Sequence, residues 1–236
     1  MRKSVVLFLS TLFLFSCAEK KSEKNFVLTG NIKGLKKGTL YIQRIKDTSL
    51  VAIDTINISG DSHFTSEFDL DSPEMLYLFL DRGVTNSLDN NIPFFAEQGK
   101  MNIETSLDFF TADAKITGSK NQELYEEYKK VMSRYVDQDL DLVKKKLLAL
   151  KEKKNDEIPK IDEQQESILK RKYLYTTNFA VNNGDYEVSP YVALAEIYDI
   201  NLKYLDTIKK SMSPKVAKSL YGKKLIEYYN QRKKNR

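Results

Sequence analysis

Between residues 26 and 118, apolar and polar positions exchange over short runs separated by turn-forming residues. FVLTGNI, TLYIQRI, LVAIDTINI, HFTSEFDL, EMLYLFLD, IPFFAE, MNIETSL and DAKITG each have the length of a strand. Several alternate with period two, which places one face toward a core and the other toward water. In LVAIDTINI the alternation sets Ile53, Thr55 and Asn57 opposite Asp54, Ile56 and Ile58. GLKKG, SGDS, DSP and EQGK supply the Gly, Asp, Ser and Pro that tight turns require. Eight short strands with close turns and no helical period between them predict an antiparallel β-sandwich or an open barrel.

After Gly118 the period changes. Ser119-Lys-Asn-Gln122 has the spacing of a capping box, and Leu124, Tyr125, Tyr128, Val131, Met132 and Tyr135 then recur at helical intervals. Residues 140–154 continue with Lys and Glu between leucines, and Pro159 interrupts. Residues 161–180 resume a helix that Asn182-Asn183-Gly184-Asp185 ends. Ser189-Pro190 and Ser213-Pro214 each read as an N-cap followed by a first-turn proline. The last helix is expected to carry Val216, Leu220, Tyr221, Leu225 and Tyr228 on one face. The expected fold is therefore α+β: a β-sandwich-like domain over 26–118, then a helical bundle of five or six helices over 119–236.

Composition marks the same boundary. Eleven of the twelve Phe precede Ser119, and twelve of the fourteen Tyr follow it. The formal charge of +5 is spread over mixed Lys/Glu faces rather than gathered into a stripe, which argues against nucleic acid as a partner.

The amino terminus carries the strongest chemical signal. Arg2 and Lys3 precede an apolar run over residues 4–15, too short to span a bilayer, which needs about 20 residues, but suited to a secretory signal. The run ends in Leu14-Phe15-Ser16-Cys17, and Cys17 is the only cysteine. This exit resembles the lipobox of bacterial lipoproteins, with Phe15 larger than the residue usual at its position. The resemblance implies a signal peptide over 1–16, a diacylglyceryl group on the Cys17 sulfur and cleavage before Cys17. Residues 17–25 then read as a lipidated flexible tether. Two or more acyl chains make a stable anchor where one gives only marginal binding. With Cys17 lipidated, no thiol remains for a disulfide, a redox pair or a thiolate-held metal.

Phe26-Val-Leu-Thr-Gly-Asn-Ile-Lys-Gly34, the strand Gly38-Thr-Leu-Tyr-Ile42 and Ile53-Asp54-Thr55 extend the resemblance. So do Ser189-Pro190-Tyr191-Val192-Ala193 and Ser219-Leu220-Tyr221-Gly222. Together they resemble Bacteroidetes-type envelope lipoproteins in which a β-rich domain of unknown function and a helical segment precede a thioredoxin-like (TlpA/ResA, AhpC/TSA-type) domain. Where that last domain would begin, this chain has Gln231-Arg-Lys-Lys-Asn-Arg236, so no redox activity carries over.

Other candidates are weaker. His63, the sole histidine, has Ser62, Ser66 and Glu67 nearby but reads as an exposed strand residue. Asp69, Asp71 and Glu74, and Asp137, Asp139 and Asp141, space oxygens at intervals a calcium loop could use, yet neither set is complete. A turn and a helix entry account for them. Tyr173, Tyr175, Tyr186, Tyr191 and Tyr198 gather around the turn at 182–185 and offer flat apolar faces with polar tips, a possible ligand or partner surface. The alternative is that the rings pack between helices. The lysines of 144–154 and 233–236 read as solvated helix faces. No nucleophile elbow, phosphate loop or metal-spaced histidine set is present.

The expected function is a non-enzymatic, lipid-anchored cell-envelope module that binds a partner or ligand. The expected location is the outer membrane facing the periplasm, with surface display as the alternative. No cofactor is expected, and the partners are the membrane, through Cys17, and an envelope protein. Two alternatives stay open: an adaptor acting in trans for a thioredoxin-like envelope oxidoreductase, and a hydrolase with a carboxylate-based site.

Overall fold

The computed structural model describes residues 23–83 and 88–235. The expected signal peptide, Cys17 and most of the expected tether lie outside them. Within them, no helix is long and apolar enough to cross a membrane. Eight strands form two four-stranded sheets: β1 (Phe26–Lys33), β2 (Lys37–Lys46), β3 (Ser49–Ser59), β4 (His63–Phe68), β5 (Glu74–Asp81), β6 (Asn91–Ala96), β7 (Gly99–Ser106) and β8 (Lys115–Thr117). One sheet has the order β4-β1-β7-β8 and the other β3-β2-β5-β6. Their inner faces pack through Leu28, Ile32, Leu40, Ile42, Leu76, Leu78, Phe94 and Ile103, which settles sandwich over barrel. Pairing is antiparallel except between β1 and β7, which run parallel.

Two local features refine the alternation. Gly30, inside β1, lies under the Phe64 ring, and a Cβ there would strike both that ring and the Ile103 carbonyl oxygen. In β3, Asp54 pairs with Ile42 and Ala52 with Gln43, which leaves Ile53 as a bulge residue. Ile53 therefore packs against the core, contrary to simple parity, while Asp54 accepts a short hydrogen bond from the buried Ser66 hydroxyl of β4. The end of the expected tether is pinned. Lys24 pairs with Asp69 at 2.7 Å, and Asn25 exchanges hydrogen bonds with the backbone of Leu70.

Six helices follow: α1 (Lys120–Lys151), α2 (Ile158–Asn182), α3 (Val188–Glu196), α4 (Leu202–Ser211), α5 (Pro214–Lys218) and α6 (Leu220–Lys234). Ser119 caps α1 by accepting from the Gln122 N–H at 3.0 Å. The reciprocal half of a capping box does not form, because Gln122 Oε1 instead accepts from the Phe95 N–H of β6 at 2.7 Å. Helix α1 runs unbroken through Asp137–Asp139–Asp141, so this stretch is helix interior rather than a helix entry. Ser189 is not an N-cap. Helix α3 already begins at Val188, and the Ser189 hydroxyl donates to the Ala180 carbonyl at 2.7 Å. Ser213 does cap α5. The expected last helix divides at Ser219, which caps α6, so Val216 belongs to α5.

The helices sit on the outer face of the second sheet. EMLYLFL and IPFFA are apolar on both faces: Leu76, Leu78 and Phe94 point into the sandwich, while Met75 and Phe95 join the helical core with Val192, Leu205 and Leu225. The other sheet turns a polar outer face to solvent, where Thr29 donates to Asn102 and Asn102 to Glu104.

Candidate functional site

The five tyrosines do not converge on one surface. Tyr191 packs edge-on against Phe95 (5.5 Å between centroids), Tyr125 (5.8 Å) and Tyr221 (5.0 Å), inside the junction of sheet and helices. Burial pushes the Tyr191 and Tyr221 hydroxyls well above the ordinary tyrosine range, and Tyr221 accepts from the Met75 N–H at 3.0 Å. Tyr175 stacks on Tyr128 at 6.0 Å. Tyr186 packs half-buried on the same core. Tyr173 donates to Asp199 at 2.7 Å, a bond that pushes its hydroxyl up to about 12. Tyr198 alone is exposed, and its carbonyl accepts from Tyr228 and Arg232. The arrangement is mainly a packed aromatic junction.

Beside it lies a polar node that the sequence pattern did not reveal. Glu97 Oε2 accepts from Ser119 Oγ (3.0 Å), the Asn121 N–H (3.1 Å) and Asn121 Nδ2 (3.2 Å). Asn121, fully buried, also donates to Glu187 Oε2 at 3.0 Å and accepts from the Val188 N–H at 2.8 Å. Glu187 is 1 % exposed, and Lys215 stands 3.5 Å from its other oxygen. Glu97 thus sits at the positive end of α1, a favourable place for a carboxylate. The node brings two carboxylates to one amide, and each bond points inward to fasten the sheet, α1 and α3 together.

The remaining surface feature is the hairpin of α1 and α2. An α-helix rises about 1.5 Å per residue, so α1 is about 48 Å long. Its first half packs on the sheet and the bundle. Beyond Tyr135 the pair is held by a separate small cluster of Leu142, Ala149, Ile161 and Ile168. The seam also contains polar ties, Gln165 to Asp139 at 2.8 Å and Lys146 to Asp162 at 2.5 Å. The tip closes with Lys153 at φ 59 and the Lys154 N–H bonded to the Ala149 carbonyl at 2.9 Å, a Schellman pattern with lysine where glycine is usual.

The two sides of this hairpin differ in kind. One groove, of about 330 Å3, is lined mainly by polar side chains, Gln138, Asp141, Lys145, Gln164, Ser167 and Arg171, together with Leu142 and Ile168. The opposite groove, of about 470 Å3, is lined by Tyr135, Val136, Leu140, Ile168 and Leu169 with a few polar neighbours. On that side Val136, Leu140, Val143, Leu147 and Leu150 are all exposed. Their spacing of four, three, four and three residues is the heptad spacing of a helix-packing stripe. A hydrophobic row of this kind normally meets another helix. The expected solvated face at 144–154 is seen at Lys144, Lys145 and Lys151, and Leu147, Leu148 and Leu150 between them are exposed as well, so the face is apolar in part rather than purely charged.

The other candidates stay apart. His63 is exposed and its Nδ1 lies 2.7 Å from Asp61, while the Ser66 hydroxyl on the opposite face serves Asp54. Asp69 takes Lys24, and Glu74 takes Arg44 at 3.0 Å. Among the described residues no three His, Cys, Asp or Glu side chains stand where they could hold one metal ion.

A family profile described as a domain of unknown function, DUF4369, matches residues 26–125. The match spans the sandwich and the first turns of α1, and so ends just past the residues that clasp the helix to β6. No curated protein and no solved structure matches the chain.

Proposed function

We propose that this chain is a lipid-anchored module of the bacterial cell envelope that binds a protein through its α1–α2 hairpin and performs no reaction of its own. The hairpin supports this by its asymmetry: one groove is polar, the other is apolar and runs into an exposed heptad stripe. The lipobox-like Leu14-Phe15-Ser16-Cys17 supports the anchor, and the match to a domain of unknown function agrees with the relatives to which the amino-terminal motifs point. The carboxylates of the Glu97–Asn121–Glu187 node are used as fasteners, which favours binding over hydrolysis.

A photo-crosslinking residue introduced at Leu147 tests the binding surface in cells, with Lys145 as the control on the polar side. Protein adducts at Leu147 and not at Lys145 are expected. Absence of adducts at Leu147, or equal yields at both, overturns the reading. The anchor is tested by feeding a tagged fatty acid: the wild type should be labelled and Cys17→Ala should not. Labelling of both, or of neither, contradicts lipid attachment at Cys17.

A further inference from the structure

The apolar stripe has the features of a surface matched to itself. Along α1 the central exposed layers run Val136, Leu140, Val143, Leu147, with Leu150 one step beyond. Read in the reverse direction, the β-branched valines and γ-branched leucines exchange places. If two such stripes lie antiparallel, Val136 meets Leu147 and Leu140 meets Val143, so each of these central layers pairs one valine with one leucine, and Leu150 lies beyond the paired layers. The same reversal fits shape. Leu147 is 63 % exposed and stands proud at one end of the stripe, whereas the groove bounded by Tyr135, Val136, Leu140 and Leu169 lies at the other end. Antiparallel docking puts the protruding leucine over the groove.

Charge selects the same arrangement. The stripe begins among Asp137, Asp139 and Asp141 and continues among Lys144, Lys145 and Lys146. On the open flank, Asp137 and Lys144 occupy equivalent positions one heptad apart. Antiparallel pairing sets Asp137 of each copy beside Lys144 of the other, twice over because a two-fold interface repeats every contact. Parallel pairing would set the acidic block against the acidic block and the lysines against the lysines.

We infer that this face is a homodimer interface, in which two hairpins pack antiparallel about a two-fold axis near residues 140–143 and Leu147 of each chain seats in the groove of the other. The inference rests on the proposal that the hairpin binds protein, and it names the occupant as a second copy.

The test uses the full chain in a density-matched detergent, carrying Cys17→Ser so that lipid does not mediate association. Sedimentation equilibrium should return twice the chain mass at micromolar concentration. Leu140→Glu with Leu147→Glu should return the monomer mass with an unchanged circular dichroism spectrum, while Gln138→Glu on the polar side should remain dimeric. Asp137→Lys should weaken association at least tenfold, and adding Lys144→Asp should restore it. A chain that is monomeric at all concentrations overturns the inference, as does a dimer that survives both glutamates or a charge swap that fails to restore it. Monomeric chains that still give Leu147 adducts with a different protein, or that bind anionic vesicles through the stripe, also overturn it. In the first of those cases the binding role of the hairpin stands; absence of any adduct removes both.

Discussion

Residues 120–135 and 136–151 belong to one unbroken helix, yet the two halves of α1 live in different surroundings. The first half is clasped to the sandwich by Ser119, Asn121 and Gln122 and packs Leu124, Tyr128 and Met132 into the helical core. The second half buries Leu142 and Ala149 against α2 and leaves a second apolar row in water. A helix carrying one stripe needs one neighbour, and a helix carrying two stripes needs two. The root of the helical half is therefore packed as fold, while its tip carries the exposed apolar row on which the proposed binding rests.

The contrast is sharpest in the cost of truncation. Phe95→Ala, which empties the sheet–helix junction, should destabilise the chain by about 3–5 kcal/mol in urea unfolding. Tyr221→Phe keeps the ring but strips the Met75 N–H of its acceptor, and should cost about 1–3 kcal/mol.

Alkaline pH should act on the same junction. Burial raises the hydroxyls of Tyr128, Tyr191 and Tyr221, so the folded state keeps them neutral where the unfolded chain ionises. Their contribution is complete below the unfolded value of about 10 and is lost as pH rises beyond it. The thermal midpoint should fall above that pH, with the phenolate absorbance of these rings appearing only on unfolding. Phenolate signal from all fourteen tyrosines in a still-folded chain would contradict the packed junction.

At the tip the effects shrink. Lys153→Gly should stabilise the hairpin turn by up to about 1 kcal/mol, because lysine in the left-handed region carries a steric cost that glycine lacks. Leu147→Ala should change the stability of the dissociated chain by no more than about 0.5 kcal/mol, since little of the side chain is buried within it. A root-sized loss at Leu147 would erase the distinction between the two halves.

Much of this was legible in sequence where local chemistry and global packing agree. The period-two runs, the turn residues and the Ser119 cap mark the strands and the first helix. What escaped was decided by contacts between distant segments. Ser189-Pro190 has the form of a helix start, but the Ser189 hydroxyl is taken by Ala180 in the neighbouring helix. Gln122 has the spacing of a capping-box partner, but a β-strand N–H claims its oxygen. The tyrosines around 182–185 have the composition of a binding surface, yet Phe95 and Tyr221, far apart in sequence, close over Tyr191. The apolar faces of EMLYLFL and IPFFA did carry a signal of double-sided burial, as strands in water on one side would alternate. The stripe at 136–150 was hidden because it is interleaved with a second heptad row, displaced by one residue, that faces α2.

Hydrogen exchange on the full chain, measured at low and high protein concentration, tests the division of α1 most directly. The account predicts that amides of 136–151, and of α2 beside them, gain protection as concentration rises, while those of 120–135 exchange slowly and identically at both. Concentration-independent exchange along the whole of α1 would contradict the docking of its tip on a second copy.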